Sequence, residues 1–189
     1  MRLWTSQSIV FYEELVTNGL AYNNRKSSWM GENVDFAFDW MAEQMRKRIG
    51  EPPLPEIKRP VWAWYQWESK KKRIPPLSTM DKTNDKEVML EINVPDSEVL
   101  LSDFELWHCV LWGVGIINDR HLYKKVTSYS QDYLDLPIDI QKIVADSWER
   151  IFDLKKRDKE YASRAVRNRS IQATLWCVRK EWVISAKVY

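Results

Sequence analysis

The segment that most constrains the fold is the aromatic run VWAWYQW at positions 61–67. Residues of different character alternate along it with a period of two, which is typical of a β-strand whose two faces have different surroundings. Three prolines crowd into residues 52–55 just before it, so that segment cannot form a regular helix or a central strand. The sequence therefore predicts a strand that follows a stiff, irregular connector.

The two faces of this predicted strand differ in composition. Trp62, Trp64 and Gln66 would share one face, whereas Ala63 and Tyr65 would lie on the other. The amide of Gln66 needs several hydrogen-bond partners, which a dry core does not provide. We therefore expect the face with Gln66 to border a cleft, with Gln66 bonded to the backbone or to a ligand. The face with the small Ala63 side chain can accept a helix such as the one predicted at 34–49.

Local patterns elsewhere predict a mixture of helices and strands. Helices are predicted at residues 6–20, 33–50, 104–113 and 138–154, and further strands at residues 2–5, 88–94, 171–178 and 182–189, the last two about a short turn. Residues 21–33 and 69–86 are polar and turn-rich, which indicates loops, and residues 113–136 show no clean period. This order predicts a single α+β domain over residues 1–189, with a mixed or split antiparallel sheet and packed helices. Strands from both ends of the chain are expected in one sheet.

Residues with known capping preferences mark the ends of two predicted helices. Ser6 or Ser8 can cap the first helix, and Gly19 can end it. Ser102 or Asp103 can cap the helix at 104–113. These signals narrow the start of each helix to two candidate capping residues.

Composition excludes several classes of protein. The 189 residues are 44% hydrophobic and 30% charged, which is the balance of a soluble globular chain, and a net charge of +2 provides no global field for nucleic acid. Two cysteines are too few for a disulfide framework, and five glycines without a G-x-G-x-x-G motif argue against a classical dinucleotide fold. The sequence has neither a signal-peptide pattern nor an apolar run of membrane-spanning length, so we expect a cytoplasmic protein without membrane contact.

Eleven tryptophans leave three interpretations of the aromatic strand open. It could be buried core, a stacking platform for nucleic acid beside the basic run at 70–73, or the wall of a ligand pocket. The two histidines have no metal-ligand spacing, and His108 lies within a predicted helix, where a structural role is the commoner one.

Five sequence blocks carry a family resemblance. LWTSQ, FDWMAEQMRKRIG, VWAWYQWE, LLSDFELWH and IQATLW together resemble an uncharacterised bacterial and phage family known only as a domain of unknown function. A more distant resemblance concerns the opening of the chain: a strand ending in WTSQ, a helix and then GLAY are similar to the first core motif of ADP-ribosyltransferase-like toxins. That second resemblance implies an activity, whereas the first does not.

The resemblance to the toxins implies a nicotinamide-ribose site with three parts. Thr5 or Gln7, at the end of the first strand, would contact the ribose. Trp64 and Tyr65 of the aromatic strand would stack on the nicotinamide. Gln172, in IQATLW, would occupy the place where the toxins carry a catalytic glutamate. A neutral amide can bond a hydroxyl, but it offers no negative charge to stabilise an oxocarbenium-like ribose. Glu149 or Glu160 could supply that charge instead.

Further contacts to NAD are implied around this site. Trp4, Trp62 and Gln66 are the remaining residues assigned to cofactor binding. Arg46 is assigned to the pyrophosphate, with Arg48 or the basic run at 70–73 as alternatives. The implied function is an NAD-recognising ADP-ribosyltransferase-like domain that modifies a macromolecule, or a degenerate nucleotide binder. The alternative is a non-enzymatic module that uses the aromatic strand and basic loops to bind nucleic acid or a protein.

Overall fold

A computed structural model describes residues 1–23, 34–68, 87–155, 161 and 168–189. The strands are β1 (Arg2–Ser8), β2 (Leu20–Ala21), β3 (Val61–Gln66), β4 (Glu87–Asn93), β5 (Leu100–Asp103), β6 (Ile171–Leu175), β7 (Val178–Arg179) and β8 (Val183–Val188). The α-helices are α1 (Ile9–Asn18), α2 (Asp35–Ile49), α3 (Phe104–Leu111), α4 (Arg120–Thr127) and α5 (Ile138–Ser147). This mixture confirms the predicted α+β class.

Six of the described strands form one antiparallel sheet, in the order β5-β6-β3-β1-β4-β8. The first strand of the chain and the late strand β6 belong to this one sheet, as the sequence predicted, and β3 lies between them. β2 and β7 pair separately as a small two-stranded sheet. The aromatic strand is therefore central, and the residues on its two neighbours are brought together across it.

Two apolar cores lie on opposite faces of the large sheet. On one side, Phe11 and Leu15 of α1 pack with strand residues that include Ala63. On the other side, Met41 of α2 belongs to a core, made mostly of helical residues, against which Trp62 packs. Successive strand residues point to opposite faces of a sheet, so Ala63 faces one core and Trp62 faces the other. The expectation that helix 34–49 packs on the Ala63 face was wrong: α1 takes that place, and α2 lies on the tryptophan side.

The predicted caps are present at α1 and α3. Ser8 Oγ accepts a hydrogen bond from the Phe11 backbone N–H at 3.2 Å, and Gly19 ends α1 with a left-handed φ of +78°. Asp103 Oδ1 accepts from the backbone N–H groups of Glu105 and Leu106 at 2.8 and 3.0 Å. Of the two candidates offered for each start, the caps are Ser8 and Asp103, and Gly19 ends α1 as predicted.

Three features differ from the predictions. Residues 100–103 form a strand that continues directly into α3, and part of the aperiodic stretch 113–136 forms α4, whose residues are all at least partly exposed. The last two predicted strands do not form a hairpin, because β6 pairs with β3 and β5, whereas β8 pairs with β4 at the other edge.

Some predictions concern residues that the structure does not describe. The loop expected at 69–86, the basic run at 70–73, Glu160 and residues 24–33 of the loop expected at 21–33 lie outside the described residues. Ala21, at the start of that loop, belongs to β2. Within the described part, none of the helices combines the length and the apolar character needed to cross a membrane.

Candidate functional site

A pocket of about 570 Å³ lies beside the central strand β3. Thr5 and Gln7 of β1, Trp62 and Trp64 of β3, and Gln172 of β6 all line it. These are five of the nine residues that the sequence assigned to an NAD site. Such a volume is within the usual range for small-molecule sites.

The pocket forms where β1 and β3 separate. The two strands are in register at Trp4 and Trp64. Beyond that pair, the Thr5 hydroxyl donates to the Trp62 carbonyl at 2.7 Å, so a side chain replaces a bond of the strand ladder. Ser6 from one strand and Ala63 from the other both line the pocket at this opening. The sheet is thus open at its centre, and the Trp62 carbonyl still has a hydrogen-bond donor there.

A chain of polar side chains follows the β1 edge of the pocket. Gln7 Nε2 donates to Thr5 Oγ1 at 2.6 Å, and Asn23 Nδ2 donates to Gln7 Oε1 at 3.5 Å. Thr5 is only 1% exposed, and its hydroxyl already donates one hydrogen bond and accepts another. Gln7 keeps a second amide proton and a second acceptor direction. Gln7 is therefore the group that can contact a ligand, and Thr5 is the group that positions it.

Aromatic rings form much of the remaining pocket wall. Trp62 and Trp107 pack with their ring centroids 4.8 Å apart, and Phe38 meets both of them edge-on. Trp64 makes a second edge-on pair with Phe104 at 4.8 Å. All five residues line the pocket. Such a wall suits a flat ring, because offset and edge-on ring contacts add to the gain from apolar burial.

His108 also lines the pocket, at the exposed side of α3. Its Nδ1 lies 2.9 Å from the Phe104 carbonyl, which can only accept a hydrogen bond, so Nδ1 carries the proton. In the neutral ring, Nε2 is then an acceptor. The sequence assigned His108 a structural role; the contact within the helix agrees with that role, but the position at the pocket was not foreseen.

Arg59 is the charged side chain that the sequence interpretation missed. It lines the pocket, is 14% exposed and donates Nη2 to Asp35 Oδ1 at 2.8 Å. Its Nη1 lies 3.6 Å from Asp39 Oδ1, which is beyond hydrogen-bond distance. Its guanidinium also lies 5.5 Å from the Phe38 ring centroid. The available signal was the spacing of Asp35 and Asp39, because residues four apart share one face of a helix.

Gln172 reaches the pocket from the strand beyond β3. It is in register with Trp64 on one side and with Ser102 on the other. Its Nε2 donates to Ser102 Oγ at 3.1 Å, which holds the amide in the sheet. Thr5 and Gln172 therefore line one pocket although they are far apart in the chain.

Four residues assigned to the cofactor lie outside the residues that line this pocket. Gln66 is 3% exposed and donates its amide to the Arg169 carbonyl at 2.6 Å. A register shift between Trp64 and Gln66 breaks the alternation, and Gln66 is not among the residues that line the pocket. Its amide bonds the backbone, which is one of the two kinds of partner expected for it. Tyr65 packs towards the α1 core, and Trp4 lies under the Arg2 guanidinium at 5.7 Å.

The fourth, Arg46, lies elsewhere on α2. Its guanidinium is 5.6 Å from the Trp176 ring centroid, and Nε is 3.4 Å from Glu51. Arg48 forms an ion pair with Glu149. Neither arginine is among the pocket residues, and Glu149 is engaged away from the pocket.

A buried ion pair holds the base of α3 against β6. Arg169 Nε lies 2.7 Å from Asp103 Oδ2, and the two side chains are 2% and 0% exposed. Burial raises the pKa of the Asp103 carboxyl, although the backbone N–H of Leu106 and the Arg169 charge act in the opposite direction. The Phe104 N–H also donates to the Ser170 carbonyl at 3.1 Å. These contacts hold α3 in place, and α3 carries the pocket residues Phe104, Trp107 and His108.

Other catalytic chemistries find less support in the described residues. No group of three or more metal-ligating side chains occurs among them. Burial raises the pKa of the Cys177 thiol to about 11, so this sulfur is protonated near neutral pH. The arrangement at the pocket is suited to binding through rings and amides.

Comparisons with known proteins identify the family. Searches of curated proteins and of solved structures found no match. A family model described as "Domain of unknown function (DUF3841)" matches residues 2–184, which is nearly the whole chain. The protein therefore belongs to the DUF3841 family of domains of unknown function.

Proposed function

We propose that the pocket binds NAD and that the chain is an ADP-ribosyltransferase-like domain, which transfers ADP-ribose to a macromolecule or holds the nucleotide without turnover. One observation carries the proposal. The three chain segments that the toxin resemblance assigns to the nicotinamide ribose, represented by Thr5–Gln7, Trp64 and Gln172, line a single pocket of about 570 Å³. They come from three neighbouring strands of one sheet.

In this proposal the nicotinamide ring lies against the aromatic wall. Trp62 and Trp64 offer large apolar surfaces, and Trp107 extends them from α3. Gln7 supplies amide groups for the ribose hydroxyls, because Thr5 holds it at the pocket edge. Gln172 is the second amide at the ribose, from the opposite strand.

Arg59 takes a different role from the one the sequence assigned to Arg46. Two carboxylates, Asp35 and Asp39, already compensate its charge. Its Nη1 is buried, so we assign Arg59 no direct contact with the nucleotide. Its role in the proposal is to hold the aromatic wall, because its guanidinium lies 5.5 Å from the Phe38 ring centroid.

Transfer would break the bond between nicotinamide and C1′ of the ribose. The nicotinamide leaves with the bonding electrons, and a nucleophile of the target attacks C1′ and loses its proton. The described pocket residues include no carboxylate to stabilise the positive charge that develops on the ribose. Binding and turnover are therefore tested separately.

A thermal-shift titration tests binding, and release of free nicotinamide tests turnover. NAD at a hundred times its dissociation constant adds about 2.7 kcal/mol to the free energy of unfolding. For a domain of this size, that gain corresponds to a Tm increase of roughly 5–11 °C. No increase with millimolar NAD, together with no nicotinamide release, would overturn the proposal.

Two matched variants locate the effect. Arg59→Gln removes the guanidinium at the pocket and should weaken NAD binding. Arg46→Gln is the control, because Arg46 also contacts a carboxylate and an aromatic ring but lies outside the pocket. Equal losses in both variants would place the nucleotide elsewhere.

A second candidate function is nucleic-acid binding. Trp64 and Trp67 are partly exposed and meet edge-on at 4.9 Å, next to the start of the segment that contains the basic run 70–73. Exposed rings beside basic residues suit single-stranded nucleic acid. A salt-dependent mobility shift with RNA or DNA, combined with no response to NAD, would favour this candidate.

A further inference from the structure

The strand β8 forms an exposed edge of the large sheet. It pairs with β4 on one side, and no strand of the described residues lies on its other side. Every residue from Ile184 to Val188 is exposed. The opposite edge of the sheet differs, because three of the four residues of β5 are buried. An exposed edge strand can accept a further strand through its unpaired backbone groups.

The hydrogen bonds between β4 and β8 show which backbone groups are unpaired. Glu87 and Tyr189 exchange both of their backbone hydrogen bonds, at 3.0 and 3.4 Å. In an antiparallel pair such reciprocal bonds recur at every second residue, and the residues between them turn their N–H and C=O groups away from the partner strand. Val188 and Ala186 therefore direct their backbone groups away from β4. These groups can bond a strand of another chain.

An apolar row on β8 continues the core on the α1 side of the sheet. Val188 and Ala186 are the register partners of Val88 and Leu90, which are fully buried in that core. Register partners lie on the same face of a sheet, so the row on β8 extends the core to the edge. Val188 is nevertheless 51% exposed, and Ile184 at the start of the strand is 53% exposed. A further strand beside β8 would cover this row.

We propose that the further strand is β8 of a second copy of this chain. The two strands pair antiparallel about a twofold axis at Ala186, and the two sheets become one continuous sheet. This register places Val188 opposite Ile184 of the second copy. A register with the axis at Lys187 also aligns the unpaired backbone groups, but it sets two lysines directly opposite each other, which is unfavourable. The inference does not depend on the proposed function.

The charges on the other face of the sheet suit the same register. Lys187 lies opposite Ser185 of the second copy in this arrangement. Ser185 Oγ donates to Glu91 Oε2 at 3.3 Å, so a carboxylate lies behind that serine on the face of Lys187. The long side chain of Lys187 extends towards this carboxylate across the joint between the two copies. The strand is therefore complementary to itself in backbone bonds, apolar side chains and charge.

Sedimentation velocity at a series of protein concentrations tests the association. The wild type should change from the mass of one chain to twice that mass as the concentration rises through the micromolar range. A single-chain species throughout that range would overturn the proposal, whether or not β8 accepts a strand of some other protein.

Variants test whether β8 is the joint. Ala186→Pro removes an N–H that points away from β4, so the fold should be retained, as circular dichroism can check. The dissociation constant should rise by about tenfold or more, because each of the two copies loses a hydrogen bond at the joint. Ile184→Lys should also weaken the association, whereas Ile138→Lys on α5 should not, although Ile138 is 79% exposed. A dimer that is unchanged in Ala186→Pro and Ile184→Lys overturns the assignment to β8.

Cysteine variants test the register in the folded protein. Residue 186 lies opposite itself, with Cα atoms about 5.5 Å apart, which is within the range of a disulfide. Mild oxidation of Ala186→Cys should therefore give a covalent dimer on a non-reducing gel. Lys187→Cys and the wild type, with its own Cys109 and Cys177, are the controls and should give much less. An equal or greater yield from Lys187→Cys would overturn the axis at Ala186.

Discussion

Replacing Arg169 with methionine tests the ion pair that holds the pocket helix. Arg169 Nε lies 2.7 Å from Asp103 Oδ2, and both side chains are almost fully buried. Methionine has a similar length and leaves the cap on α3 intact, because Asp103 Oδ1 bonds the backbone of Glu105 and Leu106. The substitution therefore leaves a buried carboxylate without its cation, and it also removes the hydrogen bond from Arg169 Nη1 to the Asp153 carbonyl at 3.2 Å.

The expected loss in the free energy of unfolding is about 3–5 kcal/mol at neutral pH, the usual cost of breaking a buried pair by removing one partner. For a domain of this size, that loss lowers Tm by roughly 6–20 °C. The double variant Asp103→Asn with Arg169→Met should recover part of the loss. Asparagine caps a helix well, and no buried charge then remains at this position.

Urea denaturation monitored by tryptophan fluorescence gives the free energies and their denaturant slopes. Lys142→Met is the surface control, because Lys142 pairs with Asp146 where the side chains are 75% and 68% exposed. That variant should change stability by less than about 1 kcal/mol. The reasoning is refuted if Arg169→Met costs no more than the control, or if the double variant is as unstable as Arg169→Met alone.

Three further predictions concern the same network and the pocket edge. Burial raises the pKa of Asp103 in the folded protein, so the folded state loses stability as pH rises above the usual pKa of an aspartate. Without Arg169 this pKa is higher still. The stability that Arg169→Met loses relative to the wild type should therefore grow from about pH 4 to pH 7. A constant deficit across urea titrations at these pH values would contradict the linkage. Thr5→Val leaves the Trp62 carbonyl and the Gln7 amide without their partner, which should cost about 1–3 kcal/mol, whereas Thr5→Ser keeps the hydroxyl and loses about 1 kcal/mol for a methyl group. If Thr5→Ser loses as much free energy of unfolding as Thr5→Val, or more, in urea denaturation, the Thr5 hydroxyl does not hold Trp62 and Gln7 as described. Gln66→Ala should lower the free energy of unfolding by about 1–3 kcal/mol and leave NAD affinity unchanged in a parallel titration. Unchanged stability together with lost NAD binding would show that Gln66 contacts the ligand.

Local signals in the sequence predicted the two helices that have clear caps and narrowed each start to two residues. Ser8 caps the start of α1 and Gly19 ends it, and Asp103 caps the start of α3. β5 was missed because its four residues continue directly into α3, which leaves no turn signal between them. The separation of β6 from β8 depends on which strand each one pairs with, and no local pattern contains that information.

The placement of Thr5 and Gln172 in one pocket follows from the prediction that their two strands belong to one sheet. Trp64 is the register partner of both Trp4 and Gln172, so the ends of the chain meet across β3. Gln66 was misplaced because a register shift cannot be read from an alternating sequence. Arg59 was missed because its position depends on a distant helix, although its partners are spaced to share one face of that helix.

The most direct test of the NAD proposal is a titration of the protein with NAD, followed by NMR through the indole N–H signals of its eleven tryptophans. The account predicts shifts for Trp62, Trp64 and Trp107, which line the pocket. The signals of Trp148 and Trp176 should stay in place, because their indole N–H groups bond the carbonyls of Val114 and Gly50 outside the pocket residues. Saturable shifts confined to the first group would support the site. Shifts confined to the second group, or no shifts at millimolar NAD, would contradict it.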